Sequence, residues 1–276
     1  MVPASTQISS TPAHNKPKVK ASAHWLAGFE RLGWVVASLL ALVALWQVVS
    51  MAAADVRRFP TPAAVLDTVS QLAASGALFS NISTTLVRVA LAFSSAMIIG
   101  SVIGILLGKF RRADQFFDPW LVLFLNMPAI VTITLCFIWG GMTEAAAVLA
   151  VALNKIPSAA VTLREGTRAL SRDLNEMALI YKFGWWKTLR HVTIPQLAPY
   201  FASAARTGLA LIWKIVLVVE AFGGRGKGVG YQIYIAFGEF DVATILAYTL
   251  AFILIVQIIE FAVLQPLLAR VNRWRR

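Results

Sequence analysis

The segment Ser171–Pro199 has the sequence SRDLNEMALIYKFGWWKTLRHVTIPQLAP, and it separates two long apolar segments of the chain. Each flanking segment, residues 145–163 and 200–222, is long enough to cross a bilayer, which takes about 20 apolar residues. The segment between them mixes charged side chains, aromatic rings and two prolines. Because such a sequence cannot lie in hydrocarbon, it predicts a polar excursion from a membrane protein.

The composition of the whole chain supports a membrane protein. Of its 276 residues, 58% are hydrophobic and 14% are charged, and the mean hydropathy is +0.71. One cysteine and three scattered histidines exclude a disulfide framework and a thiolate metal cluster. The net charge of +12 predicts lysines and arginines in cytoplasmic loops rather than a nucleic-acid partner.

Six apolar runs predict an all-α membrane protein with six membrane-spanning helices. They cover residues 33–53, 84–107, 119–140, 145–163, 200–222 and 242–264. Pro128 interrupts the third run, and Pro157 breaks the fourth run late. Residues 1–24 are small and polar, which predicts a disordered tail, and residues 25–276 form the membrane domain. We interpret the first run as a retained span rather than a signal peptide.

Three glycines in the second run share one helical stripe. Gly100, Gly104 and Gly108 recur at four-residue spacing, and such a stripe lets a neighbouring backbone approach closely in lipid. The alternative is that these are chance glycines in a span that tolerates them.

Charge asymmetry predicts the orientation of the chain. Seventeen of the 25 lysines and arginines fall on the side that holds both termini and the 171–199 excursion, and four fall on the other. Because cytoplasmic loops are enriched in these residues, both termini and the excursion are expected in the cytoplasm.

The excursion carries a spaced motif. Counted back from Pro195, it supplies Glu176, Met177, Ala178, Lys182, Val192 and Ile194. This resembles the loop by which permease subunits of ABC importers dock onto their ATPase, with the pattern Glu-Ala-Ala, three residues, Gly, nine residues, Ile-x-Leu-Pro. Lys182 stands at the family glycine position, and Gly184 follows two residues later.

The similarity extends over nearly the whole chain from Gly33 onward and is greatest for the nitrate, sulfonate and taurine branch. It includes the external segment 59–62 (FPTP), the pair Arg206 and Glu220, and the glycine-rich turn 226–231 (GKGVGY).

The resemblance implies a docking loop over about residues 171–195. Ser171 is a plausible N-cap for a helix over residues 172–183, with Gly184 as a left-handed stop and a second short helix over residues 185–191. The predicted docking residues are Glu176, Met177, Ala178, Tyr181, Lys182, Gly184, Trp185, Trp186 and Pro195. The alternative is an amphipathic helix lying on the lipid surface, with its tryptophans among the headgroups.

Ionisable and polar side chains at membrane depth are candidates for a solute path, because charge is expensive there. The candidates are Asn126, Thr132, Thr134, Asn154, Lys155, Arg206, Lys214 and Glu220. The polar ones could equally form helix-packing hydrogen bonds, Lys214 could snorkel, and Arg206 could anchor a helix end. The excess of positive groups fits a small anionic solute.

The resemblance also implies the partners and the location. A multi-pass permease of the bacterial inner membrane is expected to work as a homodimer with two ATPase subunits and a periplasmic or lipid-anchored solute-binding protein. ATP and magnesium would be bound by the ATPase, because this chain has no GxxxxGK[ST] phosphate loop and is not expected to be an enzyme. The expected solute is a small anion such as nitrate, a sulfonate or taurine.

Two other classes of protein remain as alternatives. A self-contained, ion-coupled secondary transporter often shows inverted repeats, and none is visible in this sequence. A membrane-embedded enzyme would need a constellation of His, Asp and Glu within the spans, and the three histidines all lie outside them.

Overall fold

The computed structural model describes residues 21–266, apart from residues 54, 56, 224 and 225. The predicted tail, residues 1–24, falls almost wholly outside this range. The described residues form helices and turns without a β-strand, so the all-α prediction is confirmed. Contacts divide the chain after Ala52, which makes α1 one unit and the helices from α2 onward another.

Eleven helices follow one another in the described part of the chain, and two π-helical turns extend α9 and α11. Their bounds are α1 Ala21–Ala53, α2 Pro62–Ala74, α3 Ala77–Lys109, α4 Arg111–Asn126, α5 Ala129–Gly140, α6 Glu144–Arg168, α7 Arg172–Ile180, α8 Trp185–Thr188, α9 Ile194–Gly223, α10 Val229–Gly238 and α11 Val242–Ile259. The π-helical turns are Leu189–Thr193, before α9, and Glu260–Leu264, after α11.

Within the described residues, five segments are long and apolar enough to span a membrane, and a bent pair can supply a sixth span. The five contain α1, α3, α6, α8 with α9, and α11, and the pair is α4 with α5, bent by 98°. The bend lies at Met127 and Pro128, where Met127 is extended because the following proline disfavours helical backbone. The predicted third span is therefore two helices, and it begins at Arg111 rather than at residue 119.

Helices α3 and α6 pack in parallel through the glycine stripe. An added Cβ would lie 2.7 Å from Ala159 Cβ at Gly100, 2.3 Å from the Ala160 carbonyl oxygen at Gly104, and 2.5 Å from Thr167 Cβ at Gly108. Real Cβ atoms do not approach other atoms so closely, so each position requires glycine. Parallel packing is possible because α4 and α5 return the chain across the bundle between them.

Helix α9 crosses α6 in the opposite direction. Gly166 of α6 faces the Tyr200 ring near the start of α9, and Gly208 faces the Lys155 side chain farther along. The expectation that Pro157 breaks the fourth span was wrong, since α6 continues through it to Arg168. The proline is buried, and packing against the neighbouring helices offsets the loss of its backbone hydrogen bond.

Replacing Gly104 with alanine should destabilise the bundle. The added methyl group meets backbone atoms of α6 that cannot move aside, and overpacking of this kind costs about 1–3 kcal/mol. The matched control is Gly33→Ala in α1, where an added Cβ has open space and alanine is the better helix former. Thermal unfolding in detergent measures both variants, and an unchanged midpoint for Gly104→Ala would contradict the close approach.

Candidate functional site

Helix α7 forms the first arm of the predicted docking loop. The Ser171 hydroxyl accepts a hydrogen bond from the Leu174 amide at 3.3 Å, and Asp173 lies in the first turn, where the helix dipole favours an anion. The structure thus places the N-cap at the predicted residue. Ala178, on the inner side of α7, is buried.

The helix ends in a left-handed turn at Lys182, not at Gly184. Lys182 has φ +51°, its amide donates to the Leu179 carbonyl at 3.0 Å, and the Phe183 amide donates to the Ala178 carbonyl at 2.8 Å. This is the Schellman arrangement, in which glycine is the usual left-handed residue. Gly184 is extended, with φ −64°, so the expectation of a left-handed stop there was wrong. Lysine thus occupies a left-handed backbone position at which glycine is the usual residue.

The expected second short helix is instead the start of a long one. Helix α8 runs through the π-helical turn Leu189–Thr193 directly into α9, so that residues 185–223 form one helical rod. The π-helical turn lies just before Pro195, a residue with no amide hydrogen to donate, and such turns accommodate a local mismatch of hydrogen bonds. A hydrogen bond joins the start of α7 to this rod, because the Ser171 amide donates to Gln196 Oε1 at 2.9 Å.

The outer surface of this loop is apolar and aromatic. Several large side chains project from it with between 63% and 77% of their surface exposed: Leu179, Ile180, Tyr181, Trp185 and Trp186. Glu176, Met177, Lys182 and Pro195 are also exposed, while Ala178 is covered. Exposed aromatic clusters of this kind mark protein interfaces or membrane surfaces.

An ion-pair cluster ties α4 to α6 next to the loop. Arg164 contacts Asp114 at 3.1 Å and Asp118 at 2.5 Å, and Arg168 also contacts Asp114. The close packing of α3 and α6 continues to this end, since Gly108 meets Thr167. The ends of α4 and α6 next to the loop are therefore held by ion pairs as well as by packing.

A second, buried network lies at the opposite end of the bundle. Arg88 of α3 donates to Glu220 of α9 at 2.7 Å and to Glu144 of α6 at 2.8 and 2.5 Å. Glu220 is 1% exposed and also accepts from the Thr85 hydroxyl and the Gly230 amide, each at 2.9 Å. Three helices that are distant in sequence thus share one guanidinium group.

The same network holds the glycine-rich turn against the bundle. Arg88 donates to the Lys227 carbonyl at 2.9 Å, the Gly228 amide donates to Asn81, and the Val229 amide donates to Thr85. Asn81 in turn donates to the Tyr248 hydroxyl of α11 at 3.0 Å. An added Cβ at Gly228 would lie 2.5 Å from the Glu220 carboxyl carbon, so the turn needs glycine there.

Sequence reasoning did not single out Arg88. An arginine inside an apolar run and a glutamate inside another suggest a pair, but only the parallel packing of α3 and α6 brings Arg88 between Glu144 and Glu220. Glu220, predicted to line a solute path, is placed by the structure in this packing network.

The other candidate path residues do not converge on one point. Asn126 and Thr134 donate within their own helices, to the carbonyls of Val122 and Ile130, and Thr132 is half-buried. Lys155 is buried and donates to the Ser158 hydroxyl at 2.6 Å, and the adjacent Asn154 amide nitrogen is buried without a partner among the described residues. Arg206 and Lys214 lie together in a groove between α9 and α11.

Residues 96–270 match the family described as binding-protein-dependent transport system inner membrane component. A Bacillus subtilis protein named as an aliphatic sulfonates transport permease is 30% identical over 230 residues, covering 82% of this chain and 83% of the relative.

Two further relatives carry different solute names. A riboflavin transport system permease of Chloroflexus aurantiacus is 31% identical, covering 84% of this chain and 88% of its own. A bicarbonate transport system permease of Synechococcus elongatus is 26% identical, covering 76% and 79%.

Among solved structures, an inward-facing MetNI methionine ABC transporter matches with a TM-score of 0.62 at 17% identity, covering 70% of this chain and 95% of that one. At this identity, the likeness shows a shared fold.

Replacing Arg88 with methionine should cost about 3–5 kcal/mol of stability, because the change leaves a buried carboxylate without its cation. The control is Arg58→Met, whose pair with Asp55 is exposed and at 3.5 Å should contribute at most about 1 kcal/mol. Thermal unfolding in detergent measures both variants. Adding Glu220→Met to Arg88→Met should recover part of the loss, and a neutral Arg88→Met would contradict the network.

Replacing Lys182 with glycine should stabilise the loop by about 1 kcal/mol, because a left-handed conformation is strained for any residue with a Cβ. The matched control is Lys187→Gly, in the helical segment α8, where glycine should instead destabilise by about 1 kcal/mol. Hydrogen exchange of the α7 amides reports the first effect, and exchange of the amides that follow Lys187 in the rod reports the second. Faster exchange in Lys182→Gly would contradict the left-handed assignment.

Proposed function

The chain belongs to the binding-protein-dependent transport system inner membrane components, and we propose that it imports a small anion. It is the permease subunit of an ABC importer, which receives solute from a binding protein. ATP and magnesium are bound by the separate ATPase subunit, and the permease itself supplies the path through the bilayer.

The observation that carries the coupling mechanism is the continuity of α8 with α9. The exposed Trp185 and Trp186 begin a helical rod that ends at the buried Glu220 network. When ATP closes the two ATPase subunits, the docking loops move with them, and each rod transmits that displacement into the bundle. A continuous rod transmits force better than two helices joined by a flexible linker.

The assembly we propose contains two copies of this chain and two ATPase subunits. One copy supplies one docking loop and one helical bundle, and an ATPase pair needs two loops to bind. The hydrophobic side chains of the loop and its flanking charges, Glu176 and Lys182, form the contact. A binding protein meets the opposite end, where the Arg88 network holds the glycine-rich turn.

The proposed location is the bacterial inner membrane, with both termini in the cytoplasm. The distribution of lysines and arginines supports this orientation, since it puts the docking loop on the side where ATP is available. Residues 1–24 form a cytoplasmic tail, and residues 25–276 form the permease domain.

The proposed solute is a small oxyanion, such as a sulfonate, taurine, nitrate or bicarbonate. Two of the relatives described above are named for sulfonate and bicarbonate transport, and this chain carries exposed cations on a membrane-spanning helix. A riboflavin permease is equally similar, so uptake of uncharged riboflavin is the competing outcome.

Replacing Trp185 and Trp186 together with alanine should separate the chain from its ATPase. Buried aromatic anchors at an interface contribute about 2 kcal/mol or more each, so affinity should fall by about tenfold or more per residue. The measurement is co-purification of the ATPase subunit with the tagged permease in mild detergent.

The control for that experiment is Trp139→Ala, a tryptophan that is 77% exposed at the far end of α5. It should co-purify with the ATPase as the wild type does. If the variant with both tryptophans of the loop replaced by alanine still co-purifies with the ATPase, the loop does not form the ATPase contact. An intact chain that purifies alone and moves solute under an ion gradient would support a secondary transporter instead.

A further inference from the structure

Two cationic side chains share one face of α9. Arg206 and Lys214 are eight residues apart, with Ala210 between them, so all three lie on one stripe of the helix. At 1.5 Å per residue, the two cations are separated by about 12 Å along the helix axis. Both side chains are exposed.

Helix α11 supplies the other wall of a groove with a volume of about 630 Å³. Thr249, Gln257 and Glu260 line that wall with polar groups, while Trp213 and Phe252 pack edge to face at 5.8 Å and form an apolar floor. The groove therefore combines a few polar groups with an apolar lining, as small-molecule sites do.

The depth of Lys214 argues that this groove does not face lipid. Lys214 lies nine residues before the end of α9 at Gly223, or about 13 Å along the axis, which puts it well inside a spanning helix. A charge that faces hydrocarbon is costly, and such residues almost always face a protein interior or a water-filled cavity. The exposed Lys214 side chain therefore marks a face that water or a second copy of the chain covers, rather than lipid.

Among the described cations at membrane depth, Lys155 and Lys214 have no acid beside them, and Lys214 is the exposed one of the two, because Lys155 is buried. Arg88 has two carboxylates, and Arg206 lies 3.9 Å from Glu260. Within the described residues, Lys214 forms no ion pair or hydrogen bond. A strongly hydrated ammonium group in a groove of this depth suits an anionic ligand.

We propose that Lys214 binds the oxyanion group of the transported solute inside the bilayer and that Arg206 receives it next. This inference rests on the proposed import of a small anion, and it places the path of that anion in the groove between α9 and α11. Arg206 lies nearer the docking-loop end, and Glu260 competes with the solute for its guanidinium group. Weaker binding at that second cation permits release, since transport needs sites from which the solute can leave.

The test uses the complete importer, with its ATPase and binding protein, in proteoliposomes. The variants are Lys214→Met, which removes the charge at similar length, and Lys214→Arg, which keeps it. The probes are radiolabelled bicarbonate and methanesulfonate, with riboflavin as the uncharged comparison. ATPase co-purification with each variant verifies that the complex is intact.

With Lys214→Met, we expect ATP-dependent uptake at sub-saturating anion to fall by about tenfold or more, as for loss of a hydrogen bond to a charged group. Lys214→Arg should retain most of the uptake. A Glu260→Gln variant should lower the maximal rate of uptake, because Arg206 then has no competing carboxylate and releases the anion more slowly.

Other results would overturn the proposal in distinguishable ways. Wild-type uptake by Lys214→Met would mean that the lysine only snorkels, and the permease assignment would stand. Uptake of riboflavin but neither anion would overturn the anion class and the groove's role with it. A wild-type chain that recruits no ATPase would overturn the proposed function itself.

Discussion

The close approach of two parallel helices at Gly104 determines much of the remaining structure. An added Cβ there would lie 2.3 Å from a backbone oxygen of α6, so α3 and α6 can be this close only without a side chain. Their contact fixes the register of the pair along its whole length. At one end it aligns Arg88 with Glu144, and at the other it leads into the cluster that joins Arg164 to Asp114. Packing in lipid thus creates the positions in which charges can be neutralised.

Helix α9 connects these features. It begins as an extension of the exposed loop, packs Gly208 against the buried Lys155, and presents Arg206 and Lys214 to a groove. Near its end, Glu220 joins the buried network. One face of α9 therefore packs against α6, and the opposite face lies exposed in the groove. A buried ion pair holds α9 at one end, and the other end continues into the exposed loop. A displacement of the loop can therefore move the whole helix.

The sequence predicted the helices more accurately than it predicted the contacts between their side chains. Apolar runs gave the helices, and the spacing of Gly100, Gly104 and Gly108 identified a stripe that lies against α6. Prolines were less reliable guides, because Pro157 and Pro195 lie within helices whose packing offsets a lost hydrogen bond, whereas Pro128 coincides with a 98° bend. The pairing of Arg88 with Glu220 joins residues 132 positions apart and follows from helix register, which no local pattern contains.

At Lys182 the chain adopts a left-handed backbone conformation without the glycine that usually accompanies it. The backbone there has φ +51° and both hydrogen bonds of the helix-ending arrangement, although the residue is lysine. A left-handed conformation costs a residue with a Cβ about 1–2 kcal/mol more than glycine, and Lys182 adopts it because the hydrogen bonds that end α7 hold it there. The letter G is absent at this position, yet the backbone has the angle that glycine adopts most readily.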